Sequence, residues 1–461
     1  MRPVVTVAEM VALDARALEA TSAEQLIEAA GTAVAEHVLD RFGPVTGRTV
    51  VIVAGKGSNG ADGRVAARLL AEAGATVRTV DPSAGDDDLA DAELVIDAAF
   101  GTGLARDYCA PTPPADAVVV AVDLPSGVDG DTGVVGGRAM AATTTVTMAA
   151  LKAGLLLGEG RRLAGDVTVV DIGIAVDVPR AALVEDADLS ALPLRPSDAH
   201  KWTTSVTVVA GAPGMEGAGA LSSLGALRAG AGMVRLIHPT TAASSPVAWP
   251  LELVRRPVPM EALAATAHEE TERSGALVVG PGLGATPSAH EAVRHLVSER
   301  RCPVVLDADG LGAVQGVEGL AELVARGSAP VVITPHDGEL RRLLGTPVPT
   351  DRVACAVGLA AATGATVLLK GPTTVVASPE GGPASVLFVT SGTQALATAG
   401  TGDVLSGVIA ALLAAGLPPL QAAGLAAHLH GRAGAAADGV LIASELPALV
   451  GMLIGEVRRG G

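Results

Sequence analysis

The chain has 461 residues, of which 49% are apolar and 1% aromatic, and its formal charge is −17. At ~100–200 residues per domain, that length fits two to four domains, with cores built from Ala, Val and Leu. The acidic balance excludes nucleic acid and anionic membrane as main partners, because both need basic patches; binding of a small anion at a helix mouth stays open.

The opening "TVAEMVALDARALEA" spaces Val7, Met10, Leu13 and Leu18 as a helix does, and "AEQLIEAAGTAVAEHVLDRF" predicts a second. "TVVIVAGKGSNGADGRVAARLLAEAGA" then reads as a buried strand, a glycine turn and a helix. "TVRTVD", "AELVIDAAFGTGL" and "AVVVAVDLPSG" are short apolar runs, each closed by an acid or a glycine turn. Strands alternating with helices predict a parallel sheet covered on both faces, with ligands at the carboxyl ends of the strands.

The polar, proline-bearing stretch "DADLSALPLRPSDAHK" at 186–201 marks a domain boundary. The expected partition is a first domain over 1–190, a linker over 191–199 and a second domain over 200–461. The second half repeats the pattern in "SVTVVAGAPG", "GALVVGPGLG", "PVVLDADGL", "PVVITPHDGEL" and "ATVLLKGPTTVV". The expected fold class is α/β, as two three-layer α/β/α domains.

Cys109, Cys302 and Cys355 show no metal or disulfide spacing, which suits a reducing, cytoplasmic setting. No apolar signal region opens the chain. The apolar run from Val404 to Leu417, about 14 residues, is too short to span a bilayer and predicts a buried core helix.

In "AGTGDVLSGVIAALLAAG", Gly400, Thr401 and Gly402 lead into that helix, and Val404, Leu405, Val408, Ile409, Leu412 and Leu413 form an apolar face. Free N–H groups at its first turn make an anion hole. Asp403 sits in that mouth, either as a cap or as a functional carboxylate. Lys370 and Gly371 at a strand end, followed by Thr373 and Thr374, make a phosphate-facing turn or an ordinary hairpin with a solvated lysine. Asp337 and Glu339 suit a helix's first turn.

The order "GPGLG" (280–284), "DADGL" (307–311), "TPHDGEL" (334–340), "KGPTT" (370–374) and "AGTGDVLSG" (399–407) resembles the ribokinase-like fold, in the branch that dehydrates NAD(P)H hydrates. The resemblance covers nearly all of 200–455. It departs at "HKWTTS", where Trp202 and Ser205 stand in place of the family's glycines. It implies that Asp403 is the base toward a hydroxyl attacking the terminal phosphate. It also implies that Lys370, Gly371, Pro372, Thr373, Thr374 and Gly402 hold the nucleotide, and that Ala218, Gly284, His336 and Asp403 line the hydrate pocket. ADP is the expected co-substrate, with ATP as the alternative, together with Mg2+.

"GKGSNG" with Asp81 downstream fits the dinucleotide fingerprint, so an NAD-dependent dehydrogenase is one alternative. Against it, Asp62 just past the third glycine would repel a pyrophosphate. "GKGSNGADG" (55–63), "VIDAAFGTGL" (95–104), "AVDLPSGVDGDTG" (121–133) and the segment 145–174 instead resemble the Rossmann-like NAD(P)H-hydrate epimerase domain. That resemblance implies Asn59, Asp97 and Ser126 as ligands of K+. Ser58, Asn59, Gly60, Ala61, Asp62, Gly101, Thr102, Gly103, Leu104, Ala105, Arg106, Asp107 and Asp123 would contact substrate, and Asp123 and Lys152 are the candidate acid/base groups.

The combined expectation is a bifunctional repair enzyme acting on NADHX and NADPHX. Its first domain interconverts the C6 epimers, and its second removes water from the S epimer with ADP, releasing AMP and phosphate. A ribokinase-fold small-molecule kinase is the other alternative. A homo-oligomer is the expected assembly, with neither nucleic acid nor membrane as partner.

Overall fold

The computed structural model describes residues 1–104, 106–177, 179–240, 249–437 and 439–460. Two compact units emerge, one spanning Arg2–Ala182 and the other Leu183–Gly461 together with Met1. The division falls earlier than the polar stretch suggested. From Leu183 onward the chain is already bonded to the second unit: Val184 N donates to Phe388 O at 3.0 Å, and His428 Nε2 lies 2.9 Å from Asp186 Oδ1.

In the N-terminal unit, parallel strands run in the order Asp166–Val170, Thr144–Met148, Val118–Val122, Leu94–Ala98, Thr49–Ala54 and Thr76–Val80. Alternate side chains feed two cores. Ile52, Ile96 and Val120 pack under Val34, Val38 and Leu70 of the helices Ala23–Phe42 and Ser58–Glu72. Val51, Val53 and Val95 face Tyr108 and Met140 on the other side. Burial on both faces is what the continuous apolar runs predicted.

In the C-terminal unit the parallel strands run Val254–Val258, Met233–Pro239, Ser205–Val209, Ala276–Val279, Val304–Leu306, Val331–Ile333 and Thr366–Leu369. Antiparallel strands Thr374–Ala377 and Val386–Val389 follow. The helix Thr401–Ala414 is buried on all sides from Val404 to Leu413, not only along the expected face. It crosses the helix Glu216–Arg228 at backbone contact, because a methyl group on Gly407 would lie 1.9 Å from Ser222 O and one on Gly225 would lie 2.3 Å from Val404 O. No described helix is long and apolar enough to cross a membrane. Cys109, Cys302 and Cys355 are free thiols.

The "HKWTTS" departure falls at the amino end of the strand Ser205–Val209, away from the carboxyl ends where ligands bind. Trp202 takes the guanidinium groups of Arg235 and Arg273 over its ring at 5.2 and 5.9 Å, and Ser205 starts the strand in extended backbone.

Candidate functional site

In the C-terminal unit the site is built on the mouth of the helix Thr401–Ala414. Gly400 caps it in the left-handed region at φ 94°, where a Cβ is strained, and no side chain caps the first turn. The first-turn N–H groups therefore remain available to an anion. Lys370 turns out of the hairpin between Thr366–Leu369 and Thr374–Ala377 toward this mouth, and a methyl group on Gly402 would lie 3.6 Å from its Nζ. The hairpin is real, but its lysine is not a solvated one: Nζ bonds Asp307 Oδ1 at 2.9 Å and lies 3.8 Å from Glu339 Oε2.

Asp307 is buried at the end of Val304–Leu306, and Ser406 Oγ donates to its other oxygen at 2.6 Å. Burial alone would raise the Asp307 carboxyl, but Lys370 and the hydroxyl of Ser406 outweigh it and hold the group below its ordinary value. Asp403 has the opposite fate. Burial, then the negative charge of Asp307, push it up to about 7, and Lys370 only partly offsets them. No hydrogen bond reaches the Asp403 carboxylate among the described residues. A capping aspartate would be bonded to the first-turn N–H groups; this one is held largely desolvated beside a lysine, an environment of the kind that shifts carboxyls at functional sites.

The loops beside it are sewn together through glycines. Gly280 sits at φ 125°, and a side chain there would run into Asp307 O at 1.9 Å. Gly284 N donates to Asp309 Oδ2 at 2.8 Å, and the Cβ of Ala218 lies 2.9 Å from where Gly282 would carry one. His336 is exposed and works as a helix cap. Its Nδ1 accepts from Gly338 N at 2.9 Å and Glu339 N at 3.3 Å, while Glu339 Oε2 accepts from His336 N at 2.9 Å. Asp337 pairs with Arg352, which also holds Lys370 O at 2.8 Å from behind the turn.

In the N-terminal unit a cavity of about 430 Å³ opens at the carboxyl ends of the strands. Ser58, Asn59 and Asp62 reach it from the start of the helix Ser58–Glu72, and Gly101 to Leu104 from the loop after Leu94–Ala98. Asp123 and Lys152 form its floor. Asp123 follows Val118–Val122 in a left-handed conformation at φ 69°, a strained position of the kind functional sites retain. Lys152 is fully buried and donates to Asp123 Oδ1 at 2.5 Å, Thr147 Oγ1 at 3.0 Å and Met148 O at 2.8 Å. Asp62 is pushed up to about 8 by burial and then by Asp123 and Asp14.

Asp97, at the end of the strand Leu94–Ala98 and not among the cavity's lining residues, is fully buried and accepts from Ser126 N at 2.8 Å. Burial raises its carboxyl, only partly offset by the Ser126 bonds. Ser126 Oγ exchanges bonds with Phe100 N and O at 2.9 and 3.0 Å. The buried amide nitrogen of Asn59 has no partner among the described residues, and a methyl group at Gly101 would lie 3.5 Å from Asn59 Oδ1 and 3.3 Å from Asp123 Oδ2.

Residues 206–449 match the NAD(P)H-hydrate dehydratase family, and residues 23–91 and 80–154 match the family described as YjeF-related protein N-terminus. A bifunctional NAD(P)H-hydrate repair enzyme of Salinibacter ruber is 37% identical over 503 residues, covering 94% of this chain and 91% of its own. That of Mycobacterium leprae is 39% identical over 448 residues, covering 91% and 89%. The chain belongs to the bifunctional NAD(P)H-hydrate repair enzymes. Among solved structures, an ADP/ATP-dependent NAD(P)H-hydrate dehydratase of Bacillus subtilis, co-crystallised with ATP and Mg2+, aligns at 30% identity and TM-score 0.52. It matches 61% of this chain and 100% of that one. A ribokinase-like protein of Enterococcus faecalis, at 23% identity and TM-score 0.53 over 61% of this chain and 98% of its own, shares the fold.

Against the two alternatives, membership of the repair-enzyme family decides the fold's use. Asp81, which a dehydrogenase would turn to ribose, accepts from Ser83 N at 3.0 Å and Ser83 Oγ at 2.7 Å in an exposed turn. Other expected residues are placed unevenly. Gly60 packs under Gly55 O, where a methyl group would come within 2.0 Å. Neither it nor Ala61, Arg106 or Asp107 lines the cavity; Arg106 lies over the Phe100 ring at 5.8 Å, and Ala105 falls outside the described residues. In the second unit Thr374 enters the antiparallel ladder opposite Val389, with Thr373 buried before it and Pro372 exposed.

Two parts were missed from sequence. The helices Val7–Ala17 and Ala23–Phe42 supply a wall of Met10, Asp14, Leu26, Ile27 and Ala30 to the first cavity. Asp307 and Ser406 anchor Lys370. The acid within "DADGL" was the available signal for Asp307; Asp14 on an amphipathic helix offered none.

Proposed function

We propose that the two units act in series on hydrated NADH and NADPH. The first interconverts the C6 epimers. The second phosphorylates the C6 hydroxyl of the S epimer from ADP, and the ring nitrogen then expels phosphate. Loss of the C5 proton restores the dihydronicotinamide, and AMP and phosphate are released. Hydroxide leaves poorly and phosphate leaves well, which is why a kinase fold serves a dehydration. ATP is the other donor to be tested, in line with the Bacillus subtilis relative.

The observation that carries this reading is the Asp403 carboxylate, unbonded at an uncapped helix mouth and facing the Lys370–Asp307 pair. In it, Asp403 takes the proton of the C6 hydroxyl. The first-turn N–H groups, Gly402 and Lys370 hold the transferring phosphoryl group, and the turn 371–374 holds the rest of the nucleotide. In the same reading Ala218, Gly284 and His336 line the hydrate side. Among the described residues no group of three or more His, Cys, Asp or Glu side chains could hold a metal. Mg2+ therefore fits as an ion carried by nucleotide phosphates, the usual mode for that ion.

A monovalent cation fits the N-terminal unit. Asp97 is a buried carboxylate with no cationic side chain beside it among the described residues, Ser126 N already donates to it, and in this reading the side-chain oxygens of Asn59 and Ser126 complete a set of hard donors. K+ held by these three would neutralise Asp97 and fix the loop carrying Gly101.

The test is incubation with mixed hydrates, ADP and Mg2+. Absorbance of the reduced nicotinamide should recover for both epimers. Accumulation of a phosphorylated substrate without recovery would make the protein a small-molecule kinase instead.

A further inference from the structure

Inverting C6 without redox chemistry means breaking one bond at that carbon and remaking it on the other face. Opening the C6–N1 bond does this. The O6–H proton leaves to a base, O6 becomes a carbonyl, and the bonding pair passes to N1, which takes a proton from an acid. Rotation about C5–C6 presents the other face, and the reverse transfers close the ring. One base and one acid are needed at the same time.

Lys152 is poorly suited to be that acid. Its three N–H donors are spent on Asp123 Oδ1, Thr147 Oγ1 and Met148 O, and it has no exposed surface. Giving up a proton would break this bonding and leave Asp123 without its cation. Thr147 Oγ1 donates to the same Asp123 oxygen at 3.1 Å, so both donors sit on Oδ1 while Oδ2 faces the Gly101 side of the cavity. Lys152 and Thr147 thus orient Asp123 and leave one of its oxygens for the substrate.

Asp62, expected from sequence only as a substrate contact, is a cavity carboxyl with no proton-transfer role assigned to it. It sits one turn into the helix Ser58–Glu72, is 8% exposed, and has neither hydrogen bond nor ion pair to its carboxyl among the described residues. The charged groups around it are Asp14 from the helix Val7–Ala17, Asp123 from the strand end, and Lys152, which is already committed to Asp123. Two acids and no free cation favour the neutral form.

We propose that Asp62 is the general acid of epimerisation, giving its proton to N1 as Asp123 Oδ2 takes the proton from O6. This rests on the epimerase reading of the N-terminal unit. The upward push of its carboxyl to about 8 agrees with a proton retained at neutral pH.

The experiment uses the full-length chain with K+ in excess, starting from one purified epimer and following appearance of the other with nucleotide omitted. Asp62→Asn is expected to lower kcat by about a hundredfold or more with KM within a fewfold of wild type. It should also abolish the fall of kcat/KM above about pH 8 that is expected of wild type. Asp62→Glu should keep that basic limb. ADP-dependent dehydration of the S epimer by the second unit reports that each variant is folded. A variant Asp62→Asn that retains kcat and loses only KM makes Asp62 a substrate contact and overturns the proposal. So does loss of the basic limb in Asp62→Glu. Wild type that never interconverts the epimers would instead sink the epimerase reading itself.

Discussion

The Lys370 ammonium lies 2.9 Å from Asp307 Oδ1, and Asp307 spends its second oxygen on Ser406 Oγ at 2.6 Å, inside the helix that carries Asp403. One buried carboxylate therefore fixes two parts of the proposed nucleotide site: the cation over the helix mouth and the helix itself. Asp307→Asn keeps the shape and removes the charge. Lys370 then loses its main counter-ion, at a cost of about 1–3 kcal/mol in stability. The expected result is a KM for ADP raised about tenfold or more with a smaller change in kcat, read by steady-state dehydration kinetics. Ser406→Ala should cost less, since Lys370 keeps its partner.

Asp403 links pH to both stability and rate. Its carboxyl ionises at about 7 in the folded chain against an ordinary 3.8, with burial as the first cause and Asp307 as the second. Below 3.8 the group is protonated in both states and costs nothing. Between those values folding takes up a proton, so stability is lost as pH rises and levels off above about 7. Asp403→Asn carries no such penalty. The variant's melting temperature should exceed that of wild type by more at pH 8 than at pH 5, while dehydration falls by about 10²–10⁴-fold. In wild type, kcat/KM for dehydration should climb to a plateau as pH passes about 7. A variant with no gain at pH 8 would place the carboxylate in solvent.

The helix crossing beneath the same site is set by absent side chains. A methyl group on Gly407 would meet Ser222 O at 1.9 Å, so Gly407→Ala must push the helices Glu216–Arg228 and Thr401–Ala414 apart. Overpacking of this kind costs about 1–3 kcal/mol. Because the moved helix carries Gly402 and Asp403, dehydration should fall together with the thermal midpoint of the C-terminal unit. Epimerisation, built on other strands, should be unchanged.

Much of this was legible in the chain. The apolar runs gave the parallel strands, and a carboxylate at the mouth of "GTGDVLSG" pointed to the proposed nucleotide site. What stayed hidden depends on contacts between distant positions. Asp307 and Ser406 are 99 residues apart, and only the fold makes them neighbours. That Lys152 spends its ammonium on three acceptors is likewise seen only in the fold. Met10 and Asp14 belong to a helix whose period says which side is buried but not what it covers. His336 Nδ1 accepts from Gly338 N and Glu339 Oε2 accepts from His336 N, a reciprocal cap to which the first-turn position of Glu339 was the only pointer in the sequence.

The cation proposed beside Asp97 can be separated from catalysis by stability alone. Without a cation, a fully buried carboxylate is penalised by desolvation, and the bond from Ser126 N at 2.8 Å offsets only part of that. An ion that binds the folded chain stabilises it by RT ln(1 + [L]/Kd), about 2.7 kcal/mol at a hundred times Kd. Wild type should therefore melt higher in potassium chloride than in choline chloride at equal ionic strength. Asp97→Asn removes the charge that both suffers from burial and attracts the ion. In choline the variant should melt no lower than wild type, and adding potassium should leave it unmoved. Equal responses of the two proteins to potassium would leave Asp97 as a strand-end cap and move the ion elsewhere.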